Sequence, residues 1–166
     1  MSSEGVGDGA GVNLDLSLRF FSELTGVTDL RHGQFGVGNF FLPNDPASHA
    51  EAEQVIEQAL RAQGFTILLS RDVPVNNDAI RPAAIKYQLP IRHWVFRYDS
   101  ERKTHEELMA IESVASTRPE LLGLYPLSLS TRTQVLKGRL NSNEVVPYFS
   151  DLSDPRMEVH SMFFHT

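Results

Sequence analysis

The sequence predicts an α+β fold, a layered sandwich of sheet and helix rather than a pure parallel sheet. Three observations lead there: segments alternating apolar with polar residues at a period of two, a helix with complete start and stop signals, and two strands flanking the polar "STR", a hairpin pattern. With 166 residues, 41% of them apolar, the chain can bury a real core. It contains no internal repeat, low-complexity tract or dividing linker, so residues 1–166 read as one domain.

Small residues fill positions 1–11, and the alternation over 12–18 predicts a short strand that bends into a helical turn at 18–24. Residues 36–42, "GVGNFFL", read as a second strand ended by Pro43. In "NDPASHAEAEQVIEQALRAQG", Asn44 or Asp45 can cap a helix and Pro46 suits its first position. Ser48 and Glu51 have capping-box spacing, Gly64 supplies the stop, and Ala52, Val55, Ile56, Ala59 and Leu60 form one buried stripe. A strand at 65–69 and the proline-bearing loop "RDVPVNNDAI" follow. The segment 91–98, "IRHWVFRY", is a strand with Ile91, His93, Val95 and Arg97 on one face and Arg92, Trp94, Phe96 and Tyr98 on the other. A second helix, capped by Thr104, carries Leu108, Ile111 and Ala115 and stops before Pro119. Residues 124–130 and 133–137 form the hairpin, closed by Gly138. A short helix at 143–149 and a last strand at 157–165 complete the chain.

Composition excludes several functions. The net charge of −6, with 15 scattered Lys and Arg, argues against nucleic acid. No stretch approaches the roughly 18–20 apolar residues that span a bilayer, and no signal peptide opens the chain, so no membrane partner and a cytoplasmic location are expected. There is no cysteine, which removes disulfides, thiolate metal sites and a cysteine nucleophile together.

The six histidines contain no HxH or HxxxH pair, and His160 and His165, five apart on a strand, point to opposite faces. They read as surface or core-edge residues, with no metal site. Glu51, Glu53 and Glu57 read as a solvated helix face. Ser128, Ser130, Thr131 and Thr133 offer hydroxyls, but no GxSxG elbow presents one. Arg132, at the hairpin tip, could grip a carboxylate with its fork or be a plain exposed turn arginine. The opening "GVGDGAGVNLDLS" sets four glycines around Asp8, yet lacks the Gly-Lys-Ser/Thr of a phosphate loop and follows no strand. It reads as a turn feeding a strand, as does "GQFGVG" at 33–38.

Five blocks in order, "GDGAG", "FGVGNFFLP" followed by "DPASHAEAEQVIEQAL", "RDVPVN", "SLSTRTQVLKG" and "FSDLSDPR", resemble the N-terminal glutamine amidotransferase domain of the large subunit of glutamate synthase. They cover nearly the whole chain. The resemblance implies a class II amidotransferase with the N-terminal nucleophile hydrolase fold, two antiparallel sheets packed between helices as an αββα sandwich. It also implies glutamine as substrate, and ammonia passed through a tunnel to a domain with FMN and an iron–sulfur cluster, where 2-oxoglutarate is reductively aminated. In that family an acid-small-Ala-Gly segment lies beside the nucleophile, so Gly7, Asp8, Gly9, Ala10 and Gly11 are expected as a structural loop near the site, there for close backbone approach rather than for an anion.

The departures shape the expected function. The family's nucleophile is an N-terminal cysteine, and this chain has none. "HSMFFHT" lines up with the segment leading into an arginine that grips the glutamine α-carboxylate, so His165 and Thr166 are the approach to the site. The family's Asn-Gly pair for the oxyanion hole is absent. The chain therefore reads as an interior piece, lacking the first strand and the C-terminal portion, with no catalytic residue of its own and Arg132 as its substrate-binding candidate. A gene fragment, a split subunit completed by the remaining glutamate synthase chain, and a deliberately made piece all fit. Inactivity of the chain alone is expected, with open sheet edges that favour association or poor solubility. The alternative is a noncatalytic ligand-binding or regulatory module contacting ligand through Arg132 and the 7–11 loop.

Overall fold

The computed structural model describes residues 9–98, 108–109, 111, 120–121 and 123–166. Gly7 and Asp8, and Thr104 and Ala115 of the expected second helix, lie outside them. Among the described residues seven strands are formed: β1 (Ala10–Asp15), β2 (Phe35–Phe41), β3 (Thr66–Asp72), β4 (Ile91–Arg97), β5 (Tyr125–Ser130), β6 (Thr133–Gly138) and β7 (Met162–His165). Among the described residues the helices are α1 (Leu18–Thr25), α2 (Pro46–Ala62), α3 (Pro82–Ile85) and α4 (Val145–Tyr148). The strands make two antiparallel sheets, of order β6-β1-β7 and β3-β4-β2-β5. This is the α+β sandwich that the sequence predicts.

Packing follows the alternation. Ala52, Ile56 and Leu60 of α2 pack with Phe40, Trp94, Phe96 and Leu129 on one face of the four-stranded sheet, together with Leu108 and Ile111. Val37 and Val95 on the opposite face pack with Phe20 and Phe21 of α1, while Ile91 joins Val12, Leu14 and Leu136 of the three-stranded sheet. Both faces of β4 are thus covered, which explains a strand with bulky residues at consecutive positions.

Local signals account for the helix ends. Asp45, not Asn44, caps α2 by accepting from the Ser48 amide at 3.0 Å, so Ser48 receives the cap instead of supplying it. At the other end Gly64 has φ +84°, its amide donates to Arg61 O, and that of Phe65 donates to Leu60 O. These two bonds form a Schellman stop, which requires the left-handed conformation glycine adopts without penalty.

Ser17 caps α1 and does more than cap. Its fully buried Oγ accepts from the amides of Phe20 and Glu158, both at 3.1 Å, and donates to Arg156 O at 2.9 Å. Ser17→Ala leaves these partners short of a bond across 139 residues of sequence. A loss of about 2 kcal/mol is expected, read from the urea midpoint, and a loss confined to a few tenths would mean that water replaces the hydroxyl.

Two expectations are corrected. Residues 124–137 do not form a two-stranded hairpin within one sheet: β5 pairs with β2 and β6 with β1, so the chain crosses between sheets at Thr131 and Arg132. A period-two pattern specifies which side chains face together, not which strand supplies the hydrogen bonds. The last strand is also shorter than 157–165, because Asp15 accepts from the His160 and Ser161 amides and turns the chain before β7 begins at Met162.

The five blocks meet in space. Ala10 and Gly11 of "GDGAG" lie in β1 and pair with the "SLSTRTQVLKG" strand β6, while β5 of that block pairs with β2 of "FGVGNFFLP". "RDVPVN" lies against "FSDLSDPR" through a Val75–Phe149 bridge, a bond from the Ser150 amide to Pro74 O, and an Arg71–Asp151 ion pair.

Candidate functional site

At one end of the three-stranded sheet Gly9 leads into β1, which lies between β6 and β7. Gly11 is the register partner of both Lys137 and His165. A Cβ added to Gly11 would lie 2.5 Å from Leu136 O, 2.6 Å from Lys137 Cβ and 2.8 Å from His165 Cε1, distances no ordinary side chain tolerates. Close approach is therefore the physical reason for glycine there. Gly9 has φ +144°, a region that also favours glycine. Around them, Gly9, Ala10, Lys137, His165 and Thr166 line a cleft of about 420 Å³. Phe41, Tyr87, Leu89 and Arg139 line a second cleft of about 200 Å³ that shares Gly9 and Lys137. Lys137 and Arg139, two cations on either side of Gly138 at the exit of β6, line these clefts and carried no motif that singled them out in the sequence.

Arg132 is not part of this arrangement. It sits where β5 crosses to β6, beside the Asp15 end of β1, while Gly11 and His165 occupy the opposite end, about 15 Å away at strand rise. Its amide donates to Ser130 Oγ at 2.9 Å and its carbonyl accepts from the Leu16 amide at 2.9 Å, and the residue is exposed. The backbone of Arg132 thus tethers the crossing, and its guanidinium faces solvent.

A buried polar group joins the two sheets, and it was not foreseen. His93, expected at the surface or core edge, is 1% exposed in the strand that has α2 on one side and α1 on the other. Its Nε2 accepts from Arg71 Nε at 3.0 Å, and Arg71 donates through its Nη2 to Asp151 Oδ2 at 2.5 Å. Asn39, also fully buried, donates to Gln134 Oε1 and Val135 O. The available signal lay in the alternation: His93 shares a face with Ile91 and Val95, and Asn39 stands among apolar residues in β2. Burial raises the Asp151 carboxyl, while the Arg71 contact acts in the opposite direction.

Burial first, then the charges of Arg71 and Arg92, lower His93 to about 3. The unfolded chain takes up this proton near pH 6.5, so the folded state binds fewer protons below that value. Stability from His93 is complete above about pH 6.5 and is lost as pH falls toward 3, by up to about 1.4 kcal/mol per pH unit. The carboxyls lowered by Arg97 (Asp29) and by Arg156 (Asp154) act below their ordinary value of 3.8, outside the upper part of this window. Urea unfolding between pH 7 and 4.5 should show that slope, reduced by the raised Asp151 carboxyl, which acts above 3.8 with the opposite sign, and His93→Gln should lower it; a profile that His93→Gln leaves unchanged would mean that the ring titrates normally in the fold.

Among the described residues no three His, Cys, Asp or Glu side chains gather where a metal ion could sit, and no helix is long and apolar enough to cross a membrane.

Comparison with known proteins relates this geometry to a family. The family model for class-II glutamine amidotransferases matches residues 1–166. Ferredoxin-dependent glutamate synthase 1, chloroplastic/mitochondrial, of Arabidopsis thaliana is 31% identical over 172 residues, covering 96% of this chain and 10% of that protein. The chloroplastic ferredoxin-dependent glutamate synthase of Spinacia oleracea is 29% identical over 175 residues, covering 99% of this chain and 11% of that protein. Glutamate synthase [NADH] of Saccharomyces cerevisiae is 27% identical over 183 residues, covering 100% and 8%. The chain thus spans about a tenth of the length of the curated relatives it matches. A family match over every residue, together with two antiparallel sheets that bring the five sequence blocks into mutual contact, means that the chain belongs to the class-II glutamine amidotransferases.

Proposed function

We propose that this chain is part of the glutamine amidotransferase domain of a glutamate synthase, which hydrolyses glutamine to supply ammonia for glutamate formation from 2-oxoglutarate. The observation that carries the reading is the alignment of nearly the whole chain with one segment of glutamate synthases using either ferredoxin or NADH, as their names state.

Amide hydrolysis in this reading needs a thiolate nucleophile, and none of the 166 residues is cysteine. The thiol therefore comes from outside these residues, and the chain alone is inactive. Its contribution is the frame: Gly11 lets β6 and β7 close on β1, and His165 and Thr166 border the cleft beside that closure. Lys137 lines the same cleft and, with its ammonium 5.5 Å from the Tyr125 ring centre, is in this proposal the cation that attracts the carboxylate of glutamine. Arg132, at the opposite end, is a weaker candidate for that contact. FMN and an iron–sulfur cluster belong, in this proposal, to the synthase portion of the enzyme; without cysteine this chain offers no thiolate to a cluster. The cytoplasmic location is part of the reading and is tested by cell fractionation.

The rest of the enzyme, in the same polypeptide or in another chain, would cover β7, where Phe163 and Phe164 are 67% and 50% exposed. The deciding experiment measures glutamate and ammonia release from glutamine with the chain alone and with a coexpressed partner carrying the thiol. Turnover only with the partner supports the proposal. Turnover by the chain alone overturns the inactivity, and no turnover in either, with the chain folded, points to a noncatalytic ligand-binding or regulatory module.

A further inference from the structure

The four-stranded sheet carries a polar row on its inner face. Arg71, His93, Asn39 and Ser128 are successive register partners across β3, β4, β2 and β5, so their side chains share one face. Arginine donates and never accepts, which means that His93 Nε2, bonded to Arg71 Nε, is bare. The neutral ring therefore keeps its proton on Nδ1. Asn39 uses both protons of Nδ2 on Gln134 Oε1, at 3.2 Å, and Val135 O, at 3.0 Å. What is left over is one donor, His93 Nδ1–H, and one acceptor, Asn39 Oδ1. Both atoms are buried and neither has a hydrogen-bond partner among the described residues. They belong to directly opposed residues, whose Cβ atoms in such a pair stand about 5 Å apart.

We infer that one water molecule is bound between His93 Nδ1 and Asn39 Oδ1 as a permanent interior ligand. The chemistry of the two atoms selects it. A ligand here must accept one hydrogen bond and donate another, and it must be neutral. A cation has no lone pair for Nδ1–H and would lie near the Arg71 charge, whereas a simple anion such as chloride has no proton for Oδ1. An apolar guest would leave two buried polar atoms unpaired, an arrangement native interiors avoid. Buried waters commonly make about two to four bonds to such otherwise unpaired groups. With the water in place, hydrogen bonds run without a break from Asp151 through Arg71, His93 and Asn39 to Gln134 on β6, and so from one sheet to the other.

The test uses the wild-type chain labelled with ¹⁵N, at neutral pH. Histidine ring spectra should give His93 as the Nδ1–H tautomer, and that proton should cross-relax with a long-lived water resonance. An Nε2–H tautomer, or an Nδ1 proton that contacts only protein protons, would overturn the inference. Deuterium relaxation dispersion of the solvent should then count one fewer long-lived water in Asn39→Leu than in wild type. Should that variant not fold, the wild-type tautomer and water contact decide the matter alone. Ammonium chloride should leave both His93 ring signals unshifted; saturable shifts with ammonium would mean that the site takes a cation, and would refute a neutral ligand.

Discussion

Arg71→Ala is expected to lower stability by about 3–5 kcal/mol, the largest loss among the substitutions considered for this chain. The alanine leaves the Asp151 carboxylate, buried within "FSDLSDPR", without its 2.5 Å partner, and removes the donor at His93 Nε2. It also removes a guanidinium that lies 5.7 Å from the Phe20 ring centre, and with it packing against α1. Arg71→Lys should recover only part of the loss, because a single ammonium cannot reach His93 and Asp151 from the two separate positions that Nε and Nη2 occupy. The double variant Arg71→Met with Asp151→Leu separates the causes. If an orphaned buried carboxylate is the main penalty, removing both charges should restore much of the stability, since apolar replacement of a buried pair is often close to neutral. A double variant as unstable as Arg71→Ala would instead place the cost in lost packing and in His93. Urea midpoints for the four proteins at pH 7 decide between these outcomes.

Gly11→Val is the second large effect, with an expected loss of about 3 kcal/mol or more. The first added carbon already lies 2.5 Å from a backbone carbonyl of β6, and backbone in the middle of a ladder cannot step aside as the tip of a flexible side chain can. The strand must shift, weakening its pairing with Lys137 and His165 together. The control is Asn13→Val, two residues on at an exposed position of the same strand and face, where the change should stay within about 0.5 kcal/mol. If Gly11→Val were as mild as the control, β6 and β7 would have to be looser around β1 than the register implies.

Where the sequence was readable, the determinants were local. α2 carries its cap, its first proline, its stripe and its stop within 20 consecutive residues, and each acts through neighbours in the chain. The two faces of β4 follow from alternation, which is equally local. The crossing at Thr131 and Arg132 was misread as a hairpin because the choice of sheet depends on β1 and β2, about 90 to 120 residues upstream. His93 was misplaced for a related reason: whether a strand is covered on one face or two depends on what packs over it, and α1 comes from the far end of the sequence. Gly9, Gly11 and His165, which the structure brings together, could be singled out beforehand because they lie in segments that resemble the family. The separation of Arg132 from them is a matter of strand direction, which no spacing in the sequence states.

The position of β1 has a consequence for synthesis. As the middle strand of its sheet, β1 is made before the other six described strands, yet both of its neighbours come much later, at 133–138 and 162–165. The β3-β4-β2 part of the other sheet is complete once residue 97 has emerged. At translation rates of about 5–20 residues per second, β1 then waits roughly 2–8 s for β6 with its inward Val12 and Leu14 uncovered. Closing so long a loop is also entropically costly and slow. A nascent chain stalled after residue 97 should therefore expose an aggregation-prone strand, and is the stage at which a holding chaperone would find its substrate.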